Sequence, residues 1–180
     1  SYRKAIELKS DFADAHSNLG TILSDLGKLK DAEFSCRKAI ELNPNFADAY
    51  LNLGTILRDH GKLQDAEFLY RKAIELKPDY AKAHYNLGII LKDLGKLKDA
   101  ESSYRKAIEI NPNFAKAHSN LGSILKDFGK LKEAELSTRK AIELKPDYAI
   151  AHSNLVSLLL DLGNLKEAEL SQRTAIELKP

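Results

Sequence analysis

Tryptophan and methionine are absent from this chain, cysteine occurs once, and aromatic residues make up only 7% of its 180 positions. The single cysteine, Cys36, excludes an intramolecular disulfide framework and fits a reducing compartment, here expected to be the cytoplasm. An excess of one charge sign is missing too, since 28 Lys and Arg face 26 Asp and Glu for a formal net charge of +2. So small a surplus argues against nucleic acid or an anionic membrane as the main partner. No apolar run approaches the roughly 20 residues needed to cross a bilayer. Residues 1–15 interleave Arg3, Lys4, Glu7, Lys9, Asp11 and Asp14 with apolar positions, unlike a secretory signal. The chain opens at Ser1 already inside a repeating pattern and is expected to be a segment of a longer protein.

What is present is a period. The string RKAIEL begins at Arg3, Arg37, Arg71 and Arg139, with RKAIEI at Arg105 and RTAIEL at Arg173, always in steps of 34 residues. Pro44, Pro78, Pro112, Pro146 and Pro180 keep the same step, as do Gly27, Gly61, Gly95, Gly129 and Gly163. Self-similarity at such a period marks a repeat architecture. Each unit reads as two helices. Helix A is expected over about 13–26, with Ala15, Leu19, Ile22, Leu23 and Leu26 at helical spacing. Gly27 permits a tight turn, and helix B follows over about 28–42 with Leu29, Ala32, Cys36, Ala39 and Ile40 inward. Pro44 ends it, and Asn45 is the expected cap of the next helix A. Glu33 and Arg37, four residues apart on the outer face of helix B, recur in every repeat and point to a solvated surface. One helical hairpin cannot bury its own apolar face, so neighbours must stack.

Leu19-Gly20, Leu53-Gly54, Leu87-Gly88 and Leu121-Gly122, with Ala32, Ala66, Ala100, Ala134 and Ala168 and the prolines above, resemble the tetratricopeptide repeat. The resemblance covers the whole chain. It implies an all-α fold, a right-handed α-solenoid of antiparallel helix pairs. The boundaries it implies are a partial helix B over 1–12, then repeats at 13–46, 47–80, 81–114, 115–148 and 149–180. Two departures stand out: His16, Tyr50, His84, His118 and His152 hold the family's tryptophan position, and Val156 replaces the glycine of the fifth repeat.

No catalytic or cofactor constellation emerges. Neither GxGxxG nor GxxxxGK[ST] occurs, and the four histidines at one repeat position fall in different repeats. Packed helices lie roughly 8–10 Å apart, too far for those histidines to share a zinc ion. No cofactor, metal or enzymatic activity is therefore expected. A polar stripe does recur on helix A, through Asp14, Asn18, Thr21 and Asp25, at one-sided helical spacing. In the family this side of helix A lines a concave groove. Asn18, Asn52, Asn86, Asn120 and Asn154 hold one place in all five repeats, although asparagine is a middling helix former. A carboxamide offers two donors and an acceptor, enough to grip an extended peptide backbone without reading its sequence. The column resembles the asparagine ladder in the repeat domain of the O-linked N-acetylglucosamine transferases. The other reading of the column is bonding to a neighbouring helix or to water. Around it Lys82, Lys92, Lys116 and Lys126 are expected to form a basic patch, partly offset by Asp93 and Asp127.

The expected function is a scaffold that holds an extended segment of a partner protein. Two alternatives are the docking arm of a larger glycosyl-, sulfo- or methyltransferase and a self-assembling spacer. Self-association through uncapped repeat ends is a further expectation.

Overall fold

The computed structural model describes residues 12–178 together with Tyr2 and Lys4. The partial helix expected over 1–12 lies almost wholly outside the described residues. Ten helices and no strand occur among those described: α1 (Ala13–Asp25), α2 (Leu29–Leu42), α3 (Ala47–Asp59), α4 (Leu63–Leu76), α5 (Ala81–Asp93), α6 (Leu97–Ile110), α7 (Ala115–Asp127), α8 (Leu131–Leu144), α9 (Ala149–Asp161) and α10 (Leu165–Glu177). They divide into two compact units, residues 1–95 with α1–α5 and residues 96–180 with α6–α10. Within each unit, sequence neighbours pack together, and each A helix also meets the next A helix: α1 with α3, α3 with α5, and α7 with α9.

The turn from helix A to helix B follows from one glycine. Gly27 has φ +71°, a left-handed conformation that costs a residue without Cβ little. That geometry lets Gly27 N–H donate to Ser24 O and Lys28 N–H donate to Leu23 O, each at 2.8 Å, closing the helix end. The return turn is built differently from the expectation. Phe46, not Asn45, precedes α3 and makes no side-chain cap bond. Asn43 Oδ1 instead accepts from Asn45 N–H at 3.1 Å, so the asparagine before the proline organises the turn.

The tryptophan-position residues latch this turn. His84, His118 and His152 place Nε2 3.0, 3.0 and 2.8 Å from the carbonyl oxygens of Pro78, Pro112 and Pro146. Tyr50 donates its hydroxyl to Pro44 O at 3.2 Å in the same way. These side chains therefore tie helix A to the loop that enters it. His60 lies at the C-terminal boundary of α3, exposed.

Close approach of helices A and B sets the core. Ala15, Ala32 and Ala39 have no exposed surface, and Gly20 faces α2. A Cβ at Gly20 would stand 2.3 Å from Cys36 Sγ, one at Gly54 2.8 Å from the Tyr70 ring, and one at Gly122 2.3 Å from Thr138 Oγ1. In the fifth repeat Val156 stands at this position, and Gln172, in the register of Cys36, Tyr70 and Thr138, is exposed. Ile22 departs from the inward reading, being 42% exposed where Ile56 is 1% exposed. Leu26, at 65%, is likewise outside the core.

Among the described residues the buried Thr138 hydroxyl has no hydrogen-bond partner. An unsatisfied buried polar group costs roughly 1–3 kcal/mol. Thr138→Val, which keeps the shape and removes the hydroxyl, is therefore expected to stabilise the second unit by about 1 kcal/mol. A urea midpoint equal to or below wild type would contradict this.

The outer face of helix B carries the expected pairs, Arg37–Glu33, Arg71–Glu67, Arg105–Glu101, Arg139–Glu135 and Arg173–Glu169, all within 2.9 Å. Some of these residues also reach a neighbouring repeat. Lys62 approaches Glu33 at 3.4 Å, and Arg139 approaches Glu167 at 2.6 Å. Arg37, and after it Lys62, hold the Glu33 carboxyl below the ordinary carboxylate range.

Candidate binding face of the A helices

In the first unit Asn18, Asn52 and Asn86 occupy one register on the adjacent helices α1, α3 and α5; in the second unit Asn120 and Asn154 do so on α7 and α9. Their surroundings differ. Asn18 is exposed, Asn52, Asn120 and Asn154 are half-buried, and Asn86 is 6% exposed.

The carboxamides are bonded in a pattern that the column alone did not reveal. Asn52 Nδ2 donates to Ser17 Oγ at 3.0 Å, and Asn154 Nδ2 donates to Ser119 Oγ at 3.1 Å. Both serines are buried, so each bond satisfies a hydroxyl that would otherwise be costly. Asn120 Nδ2 donates to Tyr104 OH at 3.3 Å. Bonding to a neighbouring helix, the alternative reading of the column, is thus present at these three positions. At Asn52 and Asn154 it does not exhaust the side chain: an Asn that spends one N–H keeps a second N–H and its carbonyl oxygen. The tie also orients the amide, which reduces the cost of engaging a ligand.

Asn86 is the exception. Leu51, not serine, stands one position before the preceding asparagine. No hydrogen bond to the Asn86 carboxamide occurs among the described residues. The serine before the asparagine in the preceding repeat was the available sequence signal: present as Ser17 and Ser119, absent at Leu51.

Neighbouring positions add a polar frame. Thr55 Oγ1 donates to Leu51 O at 3.0 Å and accepts from Tyr70 OH at 3.3 Å. Asp48 accepts the Tyr80 hydroxyl, joining helix α3 to the start of α5. Burial, reinforced by Asp48, pushes the Tyr80 hydroxyl pKa up.

The four lysines fall two in each unit and are not equivalent. Lys82 and Lys116 are exposed. Lys126 is committed: it donates to Ser157 Oγ and approaches Asp161 Oδ2 at 3.2 Å. Its compensating carboxylate thus comes from the next repeat. In the second unit Ser123, Lys126, Asp127, Asn154 and Ser157 surround a cleft of about 150 Å³ over Gly122 and Leu158. The cleft lies between α7 and α9, on the face that carries the asparagines.

Tetratricopeptide repeat models match residues 13–46 and 81–114, 35–68 and 103–135, and 149–180, and a further TPR repeat model matches 54–95. Together these take in residues 13–135 and 149–180. The chain belongs to the tetratricopeptide repeat family. No curated protein matches its sequence. Among solved structures, this tetratricopeptide chain is similar to YrrB, described as a TPR protein with an unusual peptide-binding site. Identity is 27% over 100% of this chain and 93% of that chain, with a TM-score of 0.77. MamA is 25% identical over 89% of this chain and 94% of its own, with a TM-score of 0.78. The pilF protein of Pseudomonas aeruginosa superposes with a TM-score of 0.87 over 93% of this chain and 77% of its own. At 22% identity that likeness shows the fold alone. Among the described residues no helix is long and apolar enough to cross a membrane, and no His, Cys, Asp and Glu cluster could hold a metal ion.

Proposed function

We propose that this tetratricopeptide array is a non-catalytic binding module that takes an extended polypeptide segment along its A helices. Asn18, Asn52, Asn86, Asn120 and Asn154 grip the segment's backbone. The observation that carries the reading is Asn86, nearly buried on that face with no hydrogen bond to its carboxamide from the described residues. A peptide C=O and N–H would satisfy both ends of that amide, as they do in a sheet or helix. The peptide-binding site named for YrrB supports the same use of a similar fold. The ladder of the O-linked N-acetylglucosamine transferases is the arrangement proposed, with Asn52 and Asn154 already oriented by their serines.

Specificity then comes from what surrounds the asparagines. Lys82 and Lys116, exposed, favour acidic side chains in the segment. Lys92 and Lys126 belong to the proposed basic patch, but the Asp161 ion pair lowers the contribution of Lys126. Opposite the fifth repeat the segment presents an apolar residue, because Ile150 and Leu160 are 56% and 53% exposed.

Panning random linear peptides against the intact chain tests the reading. Enriched peptides are expected to lose at least tenfold in affinity for Asn86→Ala, measured at a temperature where circular dichroism shows the variant to be as helical as wild type, since Asn86 is nearly buried. N-methylation of the peptide backbone is expected to have the same effect. Peptides that bind Asn86→Ala and N-methylated backbones as well as the parent pair would remove the ladder.

A further inference from the structure

Every A helix of this chain ends on an aspartate: Asp25, Asp59, Asp93, Asp127 and Asp161. A helix C-terminus favours a cation, so helix stability does not account for the choice. What the carboxylates meet differs. Asp59 is neutralised on its own helix, where Arg58 pairs with it at 2.8 Å. Lys126 holds the register of Arg58 but reaches across to the next repeat, donating to Ser157 Oγ and approaching Asp161 Oδ2 at 3.2 Å. Asp127, beside it, is left exposed, with no hydrogen bond or ion pair among the described residues.

That carboxylate stands on the cleft of about 150 Å³ between α7 and α9, over Gly122 and Leu158. Two further acceptors line it. Asn154 spends Nδ2 on Ser119 and has no hydrogen bond to its Oδ1 among the described residues. Ser157 Oγ accepts from Lys126 and keeps a second lone pair. In the first unit the register of Ser157 holds Ile89 on α5, which offers no acceptor. The charges decide the sign of the ligand. One ammonium, Lys126, lies between two carboxylates, Asp127 and Asp161, so a further carboxylate would add repulsion whereas a cation completes the balance. Lys116, earlier on α7, lies about 16 Å along the helix axis, beyond a screening length of roughly 8–10 Å.

We propose that this cleft takes the side chain of a lysine in the bound segment, an inference that rests on the segment lying along the A helices. An ammonium has three donors and no acceptor, matching Asp127, Asn154 Oδ1 and Ser157 Oγ, while the aliphatic stem covers Leu158. The asparagines grip any backbone and leave its register open. A lysine held at Asp127 fixes which residue of the segment sits between the fourth and fifth repeats.

Panning one library of random linear peptides against wild type and against Asp127→Lys tests it. Peptides from wild type are expected to carry lysine at one fixed position, and those from Asp127→Lys an acidic residue there. Replacing that lysine by norleucine, which removes the charge and keeps the stem, is expected to cost about tenfold in affinity on wild type and less than about twofold on Asp127→Asn. Asp127→Asn removes no bond of the fold and is expected to keep wild-type helicity. Peptides that depend on Asn86 but carry lysine at no fixed position would overturn the assignment and leave the backbone grip standing. So would an equal loss to norleucine on Asp127→Asn and on wild type. Peptides that meet both lysine criteria yet bind Asn86→Ala as tightly as wild type would remove the grip and keep the cleft. No enriched peptide from either selection would overturn both.

Discussion

Gly122→Val is expected to destabilise the second unit by about 3 kcal/mol, read as a lowered midpoint in urea. The first added carbon already meets Thr138 Oγ1 at 2.3 Å and the Ala134 carbonyl oxygen at 3.1 Å. The branched methyls then enter a crossing whose alanines have no exposed surface. Overpacking of this kind forces the helices apart or the side chains off their rotamers. The fifth repeat carries a different pair: valine already stands on helix A, and the exposed Gln172 holds the register of Thr138. Thr138→Gln added to Gly122→Val should therefore recover at least about 1 kcal/mol, a coupling expected of residues in direct contact. Strict additivity of the two substitutions would show that the crossing adapts by another route.

Alkylation of Cys36 is expected to be about a thousandfold slower in the native protein than in the urea-unfolded chain. Burial against α1 pushes its thiol from an ordinary 9.0 up to about 12, and the thiolate is the reactive species. At pH 8, labelling should therefore track opening of the first unit. The same shift has a thermodynamic sign. Between pH 9 and 12 the unfolded chain releases the thiol proton while the folded chain keeps it, so stability is full below 9 and falls through that window. Tyr70 and Tyr148, also pushed up by burial, act in the same direction. Labelling of native Cys36 as fast as in the unfolded chain would show that the thiol is not held in the A–B crossing.

How far the sequence discloses the site can be followed residue by residue. The glycine turn at Gly27 and the ion pairs of helix B follow from spacing, because both depend on residues no more than five apart. The cap shows where local reading stops. Asn45 has the right side chain, but Phe46 occupies the position before α3, and Asn43 organises the turn. The asparagine column was visible as a column, yet its members proved unequal. Asn52 bonds to Ser17, a residue 35 positions earlier in the chain, and Asn86 faces a repeat that offers Leu51.

By itself, then, the sequence determined the period, the helix pairs, their turns and the family, because each rests on short-range geometry repeated at a constant step. Only the tertiary structure decided which carboxamides are tied to a serine of the preceding repeat and that Asp161 offsets Lys126. Each of these depends on what the adjacent repeat places opposite a given side chain. Near-identical repeats differ at those facing positions, so the same residue type acquires a different role in each.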